Sequence, residues 1–268
     1  MAESIGRETS LIQKLRPSYQ SFLNLCSLGR GTLWEINGVH FRIDAHYRDS
    51  FGHRYDEHLA SFIRSRMRPG AVCLDVGANV GVYALQFGHW AGKTGQVIAF
   101  EPNPAAQHVM RKHLRLNHFE DRVRIVPAAV GSMSGRAVLY AAGTDAMSRL
   151  GAPSRHINHP ISQIDVEVVT LDGFCKKDSI EPDWLLIDVE GFEWAVLEGA
   201  RELIKHRGAN LHVIVEMHPD VWDSAGRTRR DAESVLSSLK LQAIPLSGQS
   251  DPLAEYGHAY LAPASQSV

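Results

Sequence analysis

The chain has 268 residues, 44% of them hydrophobic, and its 28 basic and 30 acidic residues give a formal net charge of −2. One α/β domain of this size can bury about 70–75% of the surface of its unfolded chain, and the even spread of charge argues against nucleic acid or an anionic membrane as a partner. Three cysteines lack metal-ligand spacing, and no apolar stretch approaches the ~20 residues that span a bilayer, so we expect a soluble cytoplasmic protein.

The chain begins with a predicted addition to the main domain. Residues 10–28 have the apolar spacing of a helix, which a proline at position 17 divides. Two alternating runs within 33–43 flank an Asn-Gly pair, a strong signal for a β-hairpin. We interpret residues 1–54 as a lid or an oligomer contact without a catalytic role, and we place the main domain at residues 55–268.

A glycine turn follows the first predicted strand of the main domain. After a helix from Tyr55 to Met67, the apolar run Ala71 to Val76 predicts a parallel strand buried on both faces. Gly77 and Gly81 then lead into a helix that is predicted to end at Trp90. Such a turn leaves backbone N–H groups free for a polar or anionic ligand, although a turn that only connects strand and helix would have the same sequence.

Two acidic residues identify the kind of ligand. The next strand, Gln96 to Phe100, ends in Glu101, 20 residues after Gly81, where dinucleotide-type folds bind a ribose diol. Asn79 occupies the position at which close approach of a pyrophosphate requires glycine. Asp75, at the end of the first strand, suits an ammonium group. Together these features favour S-adenosylmethionine over NAD.

The rest of the chain continues the alternation of strands and helices. A helix over 105–117 and a strand over 123–126 lead to Ala129, a small residue that leaves room for an adenine ring. The 22 residues of 142–163 show no periodicity, and we interpret them either as a lid over the acceptor or as a solvated loop. Further strands are predicted at 137–140, 165–169, 184–187, 211–215, 242–245 and 258–261, with helices at 194–205 and 230–239.

Three segments resemble the FkbM-type methyltransferases, a family of class I S-adenosylmethionine-dependent methyltransferases. They are LDVGANVG at 74–81, FEPN at 100–103, and LIDVEGFE at 186–193 followed by VLEGA at 196–200. The resemblance implies a Rossmann-like, doubly wound and mostly parallel seven-stranded sheet, to which the N-terminal helix and β-hairpin are added. It also implies methyl transfer to a hydroxyl group of a sugar, glycan or natural product.

The predicted cofactor site lies at the carboxyl edge of the sheet, where parallel α/β folds bind their ligands. The carboxylates at the ends of the predicted strands map to this edge, and the resemblance places the glycine turn there as well. The residues that we expect to bind the cofactor are Asp75, Gly77, Asn79, Gly81, Glu101, Asn103, Ala129 and Asp188.

The predicted catalytic residues are Asp188, Glu216 and His218, which follow adjacent strands and are expected to converge beside the methyl group. His218 has a suitable unperturbed pKa for a base, but it is one of 14 histidines and also has a purely structural interpretation. Glu190 either takes part in the chemistry or caps a helix, whereas Glu193 and Glu198 are most simply helix-surface charges.

Several alternatives stay open at this point. We favour a metal-free base, although Asp188, Glu216 and His218 also offer the ligand types that suit Mg²⁺ or Mn²⁺. A non-catalytic S-adenosylmethionine-binding protein and an NAD-linked oxidoreductase are the competing classes of function. We expect a small-molecule or glycan acceptor as the partner, with oligomer formation through the N-terminal segment.

Overall fold

The computed structural model describes residues 18–48, 51–151, 153 and 160–264. Residues 10–17 of the predicted N-terminal helix lie outside this part of the chain, whereas residues 18–26 form helix α1. The strands are β1 (Thr32–Ile36), β2 (Val39–Ile43), β3 (Val72–Val76), β4 (Gln96–Phe100), β5 (Val123–Val126), β6 (Ala128–Val130), β7 (Gly135–Ala141), β8 (Arg149–Leu150), β9 (Ser162–Val169), β10 (Trp184–Ile187), β11 (His212–Met217), β12 (Leu241–Pro245) and β13 (Gly257–Pro263). The other helices are α2 (Glu57–Arg64), α3 (Val82–Trp90), α4 (Pro104–Leu116), α5 (Leu171–Asp178), α6 (Glu193–Glu198), α7 (Arg201–Arg207) and α8 (Arg229–Leu239).

Seven strands form the central sheet in the order β12–β13–β11–β10–β3–β4–β5. Every neighbouring pair is parallel except the two pairs that involve β13, which runs antiparallel to β11 and β12. The predicted doubly wound, mostly parallel sheet is therefore confirmed. Its strand order reverses between β3 and β10, and the crevice beyond the carboxyl ends of these two strands is where such sheets bind ligands.

A second sheet lies beside the first and was not predicted. It has four strands in the order β6–β9–β7–β8. The prediction of an irregular segment over 142–163 was wrong in two places, because β8 lies within it and β9 already begins at Ser162. Strands of two or three residues are too short to show a period, which explains the omission. Within 142–163, residues 152 and 154–159 lie outside the described part of the chain, including Arg155, His156 and His159.

Two predicted element bounds need correction near the site. The helix predicted over 194–205 is divided into α6 and α7 at Gly199 and Ala200. Position 199 requires glycine because a Cβ atom there would overlap with the carbonyl oxygen of Gly131. The strand predicted over 211–215 continues to Met217. Glu216 therefore lies inside β11 and does not follow it.

The hydrophobic core covers both faces of the central sheet. On one face, the hairpin residues Ile36, Phe41 and Ile43 are at most 1% exposed and pack in the same cluster as Phe87 and Met110 of α3 and α4. Each such side chain contributes about 1.5–3 kcal/mol by leaving water. The hairpin is thus fixed to the main body, while the division into residues 1–54 and 55–268 stays a prediction. No described helix has the length and apolarity needed to cross a membrane.

Candidate cofactor and acceptor site

The glycine turn brings the carboxyl ends of β3 and β10 into contact. Gly77 has φ +88°, and a Cβ atom there would overlap with the carbonyl oxygen of Asp188. Gly81 has φ +91° and begins α3, with space for a side chain blocked by Met110 at 2.6 Å. Because only glycine fits this approach at position 77, the turn fixes Asp188 directly beside the predicted cofactor site.

A narrow cavity of about 80 Å³ lies beyond the ends of β3, β4 and β10. Of the described part of 142–163, Ala146, Ser148, Arg149 and Leu150 contribute to its lining. Asp75 lines an adjoining cavity, and Gly81 lines neither one. The predicted cofactor residues that line the narrow cavity are Gly77, Asn79, Glu101, Asn103, Ala129 and Asp188.

Glu101 holds the two sides of this cavity together. Its Oε2 accepts a hydrogen bond from the backbone N–H of Asn79, and its Oε1 accepts one from the N–H of Asn103, both at 2.7 Å. Burial raises the pKa of Glu101 to about 7 against the effect of these two bonds. A carboxylate has about four acceptor positions, so lone pairs are left for the vicinal hydroxyls of a ribose.

The side chains of Asn79 and Asn103 bind the loop above the cavity. Asn103 Nδ2 donates to the carbonyl of Gly143 at 2.7 Å while its Oδ1 caps α4, and Asn79 Nδ2 donates to the carbonyl of Thr144 at 3.4 Å. Sequence reasoning had assigned both residues to the cofactor alone. The structure shows that they also hold residues 142–148 over the place where the cofactor is expected.

Asp75 is a buried carboxylate with an unused oxygen. It is 2% exposed, and its Oδ2 has no hydrogen-bond partner among the described residues. Burial and the nearby Glu101 raise the pKa of Asp75 to about 7. Because a buried polar atom normally has a partner, this oxygen indicates a position for a cationic ligand group, and an ammonium group fits it.

Asp188, Glu216 and His218 converge at the acceptor side of the edge. One donor atom from each lies within 4.8 Å of the others. Burial and the neighbouring Glu216 raise the pKa of Asp188 well above its usual range. The pKa of Glu216 is lowered overall: burial raises it, whereas His258 and the hydrogen bond with Asp188 lower it. Glu216 also accepts a hydrogen bond from Tyr256. These three side chains are also the ones that could hold a divalent metal.

His218 is held by a carboxylate that the sequence analysis had placed on the surface. Glu193 is 0% exposed, and its Oε1 lies 2.7 Å from His218 Nδ1 while its Oε2 accepts from Trp222 Nε1 at 3.0 Å. Burial disfavours the imidazolium ion, but Glu193, together with Glu190 and Glu216, outweighs it and raises the pKa of His218 to about 9. The prediction of a surface charge was wrong for Glu193, and Glu198 is an ion-pair partner of Arg227 at 2.6 Å.

Two larger cavities adjoin the narrow one. The cavity that contains Asp75 and Asp188 has a volume of about 420 Å³, and its wall includes Tyr47, Phe51 and Tyr55, which sequence reasoning did not connect with the site. A more open cleft of about 780 Å³ is bordered by Glu190, His218 and Tyr256, among others. The site therefore combines an enclosed part with a more open cleft.

Together, the strand order, the glycine turn and the acidic edge define a Rossmann-like fold with a site for a nucleoside cofactor. The family model described as Methyltransferase FkbM domain matches residues 75–239. Because this match covers more than half of the chain, the chain belongs to the FkbM methyltransferase family. It is an S-adenosylmethionine-dependent methyltransferase.

Solved structures give a more distant likeness. The FkbM methyltransferase from Methylobacillus flagellatus is 15% identical, with a TM-score of 0.44 over 94% of this chain and 60% of that one. An O-methyltransferase from Bacillus cereus in complex with S-adenosylhomocysteine is 14% identical, with a TM-score of 0.44 over 77% and 80%. The Podospora anserina methyltransferase PaMTH1, also bound to S-adenosylhomocysteine, is 14% identical, with a TM-score of 0.46 over 80% of both chains. No curated protein matched the chain.

Proposed function

We propose that the protein is an O-methyltransferase that methylates a hydroxyl group of a sugar, glycan or natural product. The observation that carries this proposal is the convergence of Asp188, Glu216 and His218 within 4.8 Å, between the enclosed cavities and the open cleft. His218 borders the open cleft, whereas Asp188 borders both enclosed cavities. When bound, S-adenosylmethionine supplies an activated methyl group on a sulfonium ion.

The cofactor is held by residues at the carboxyl edge of the sheet. Glu101 binds the ribose diol through its remaining lone pairs, and the small Ala129 leaves room for the adenine. Asp75 pairs its unused Oδ2 with the ammonium group. These roles agree with the burial of both carboxylates, since an unpaired charge at such a depth is costly until a ligand satisfies it.

The acceptor is oriented by the three converging residues. Holding the hydroxyl oxygen at ~3–3.5 Å from the methyl carbon, in line with the departing sulfur, is the largest contribution available. His218 donates a hydrogen bond to the acceptor while Glu193 fixes its ring, and one of the two carboxylates takes the hydroxyl proton. A positioned base of this kind adds ~10²–10⁴-fold to the rate.

We propose that this proton transfer proceeds without a metal. Both ring nitrogens of His218 already face carboxylates, with Nδ1 2.7 Å from Glu193 and Nε2 3.7 Å from Glu190. Under this proposal EDTA leaves turnover unchanged and His218→Ala lowers it without weakening cofactor binding. Reversible loss of turnover with EDTA, together with inactive Asp188→Asn and Glu216→Gln variants, would instead indicate a metal held by the three residues.

The first test of the proposal compares ligands. S-adenosylhomocysteine should raise the melting temperature and NADH should not, because the edge offers carboxylates and lacks the middle glycine for a pyrophosphate. A screen of hydroxylated sugars and glycosides for S-adenosylhomocysteine release then identifies the acceptor. A larger shift with NADH would favour an oxidoreductase. Strong cofactor binding without turnover on any acceptor of the screen would favour a binding protein.

We also propose that the N-terminal segment joins two copies of the chain. Helix α1 directs Asn24 inward, where its Nδ2 donates to Asp44 at 2.6 Å, while large apolar side chains face outward. These side chains are Tyr19, Phe22, Leu25 and Leu28, exposed by 57, 60, 74 and 82%. Light scattering after gel filtration should give a dimer for the wild type and a monomer for Phe22→Glu. A wild-type monomer at high concentration would reject this assembly.

A further inference from the structure

The cavity of about 420 Å³ has an unusual wall. Four aromatic side chains line it, and three aspartates accompany them, whereas no lysine, arginine or histidine contributes to its described lining. It shares Gly77, Asn79, Ala146 and Asp188 with the narrow cavity, so the two spaces adjoin at the end of β3. A cavity that is both aromatic and acidic favours a cationic occupant. The aromatic side chains are Tyr47, Phe51, Tyr55 and Tyr83, and the aspartates are Asp75, Asp145 and Asp188.

Tyr55 lines this cavity together with Asp75 and Asp188, and its ring contacts two of the other aromatic side chains of the wall. Its ring is fixed by edge contacts with Phe51 and Tyr83, at centroid distances of 6.4 and 5.7 Å. Burial and the nearby Asp188 raise the pKa of Tyr55 far above its usual range. Tyr55 and Asp188 line the same cavity, and Asp188 also lines the narrow cavity.

The surroundings keep this ring in place. The carbonyl of Tyr55 accepts a hydrogen bond from Asn37 Nδ2 at 2.6 Å, which ties the residue to the hairpin turn. The hydroxyl of Tyr83 donates to Asp56 at 2.8 Å, and Tyr47 bonds Thr144 through their hydroxyl groups at 3.0 Å. Tyr47, Phe51 and Tyr55 all lie outside residues 75–239, to which the family model extends.

We propose that Tyr55, supported by Phe51 and Tyr83, receives the sulfonium group of S-adenosylmethionine and makes the protein prefer the charged donor over the neutral product. S-adenosylhomocysteine lacks both the methyl group and the positive charge, so an aromatic face attracts only the donor in this way. The inference rests on the proposed cofactor site. It assigns a role in donor recognition to residues that precede the part of the chain matched by the family model.

The test measures the dissociation constants of S-adenosylmethionine and S-adenosylhomocysteine by calorimetry. Tyr55→Leu should weaken S-adenosylmethionine roughly 2- to 30-fold and leave S-adenosylhomocysteine nearly unchanged, because it removes the aromatic face. Tyr55→Phe keeps that face and should retain the preference. Tyr140→Leu, in β7 and outside the lining of the three cavities, is the matched control and should change neither constant.

A second variant guards against simple loss of packing in Tyr55→Leu. Trifluorophenylalanine at position 55 keeps the ring's shape but weakens its negative face, so it should lower the affinity for S-adenosylmethionine alone. Equal weakening of both ligands, or a preference unchanged in both variants, would overturn the proposal while the cofactor site stands. If the wild-type protein bound neither ligand, the cofactor site itself would be wrong and this inference would fall with it.

Discussion

Two buried aspartates of this protein have opposite surroundings. Asp44, at the end of the hairpin, is 9% exposed and accepts hydrogen bonds from Lys112 at 2.5 Å, Asn24 at 2.6 Å and the backbone N–H of His46 at 3.0 Å. Despite burial, these partners lower its pKa far below the usual range. Asp75, at the end of β3, is 2% exposed, and its Oδ2 has no partner among the described residues.

The difference separates a structural carboxylate from one that is kept for a ligand. Asp44 connects α1, the hairpin and α4, so its charge stabilises the folded chain. Asp75 and Glu101 have raised pKa values, of about 7 each, and their ionisation therefore costs stability until a ligand arrives. Burial alone would not have distinguished the two kinds of site, but the cationic partner Lys112 does, since Asp44 has it and the pKa values of Asp75 and Glu101 are raised.

The largest expected effect comes from forcing the acidic edge apart. Gly77→Ala should destabilise the protein by roughly 4 kcal/mol or more, because the new Cβ atom overlaps with the carbonyl of Asp188. Urea unfolding measures the loss. Gly92→Ala is the matched control, since Gly92 has φ +73° and no atom within 4 Å, and it should cost only about 1–2 kcal/mol. Equal losses of stability in the two variants would show that Gly77 does not pack tightly against the end of β10.

The next largest effect is expected from Glu101, whose carboxylate lines the narrow cavity. Glu101→Gln should weaken S-adenosylhomocysteine by about 1.5–3 kcal/mol, or roughly 10- to 100-fold, because charged hydrogen bonds to the ribose are lost. Calorimetry gives the dissociation constant. The surface variant Glu202→Gln serves as the control. An unchanged constant in Glu101→Gln would remove this residue from the cofactor site.

The acidic edge also predicts a pH dependence. The pKa of Asp75 is raised to about 7 in the free protein, and an ammonium group favours its ionised form, so binding below that pH must release a proton. Affinity for S-adenosylhomocysteine should therefore fall by up to about tenfold per pH unit as the pH drops from 7 to 5.5. In Asp75→Asn the pH dependence of the affinity should be weaker, because only Glu101 still contributes to it. The same slope in both proteins would refute the pairing.

The smallest effect is expected on the structural side of the comparison. Asp44→Asn should cost about 1 kcal/mol, reduced from the usual value for a charged hydrogen bond because Lys112 is 33% exposed. Since folding lowers the pKa of Asp44 from 3.8, its contribution is present above that value and is lost as the pH falls. Thermal unfolding of the two proteins should converge in acid, and cofactor affinity should not change. A large change in cofactor affinity in Asp44→Asn would show that Asp44 is not a purely structural carboxylate.

The central sheet could be predicted because its strands are continuous apolar runs with clear ends. The bounds of β4, β5 and β10 agree with the prediction to the residue. The second sheet escaped prediction because β6 and β8 have three and two residues and gain their order only from pairing with longer strands. Short segments of this kind have no periodicity of their own.

The site shows the same limit. Carboxylates at the ends of strands can be predicted from their position in the sequence. Asp75, Glu101 and Asp188 were predicted in this way. Glu193 was missed because a charged residue at the start of a helix looks the same whether it faces solvent or a histidine 25 residues away. The sequence did not indicate a role for Tyr55 either, because only the fold brings Tyr55 and Asp188 to the same cavity.

The position of the loop over the narrow cavity has a consequence for exchange of the cofactor. Ala146 and Ser148 of this loop line the cavity, so we expect residues 142–148 to move when a ligand enters or leaves. Opening of the loop would break the hydrogen bond from Asn103 to Gly143. Residence time then depends on opening of the loop as well as on contacts with the ligand, and product release becomes a candidate for the step that limits turnover.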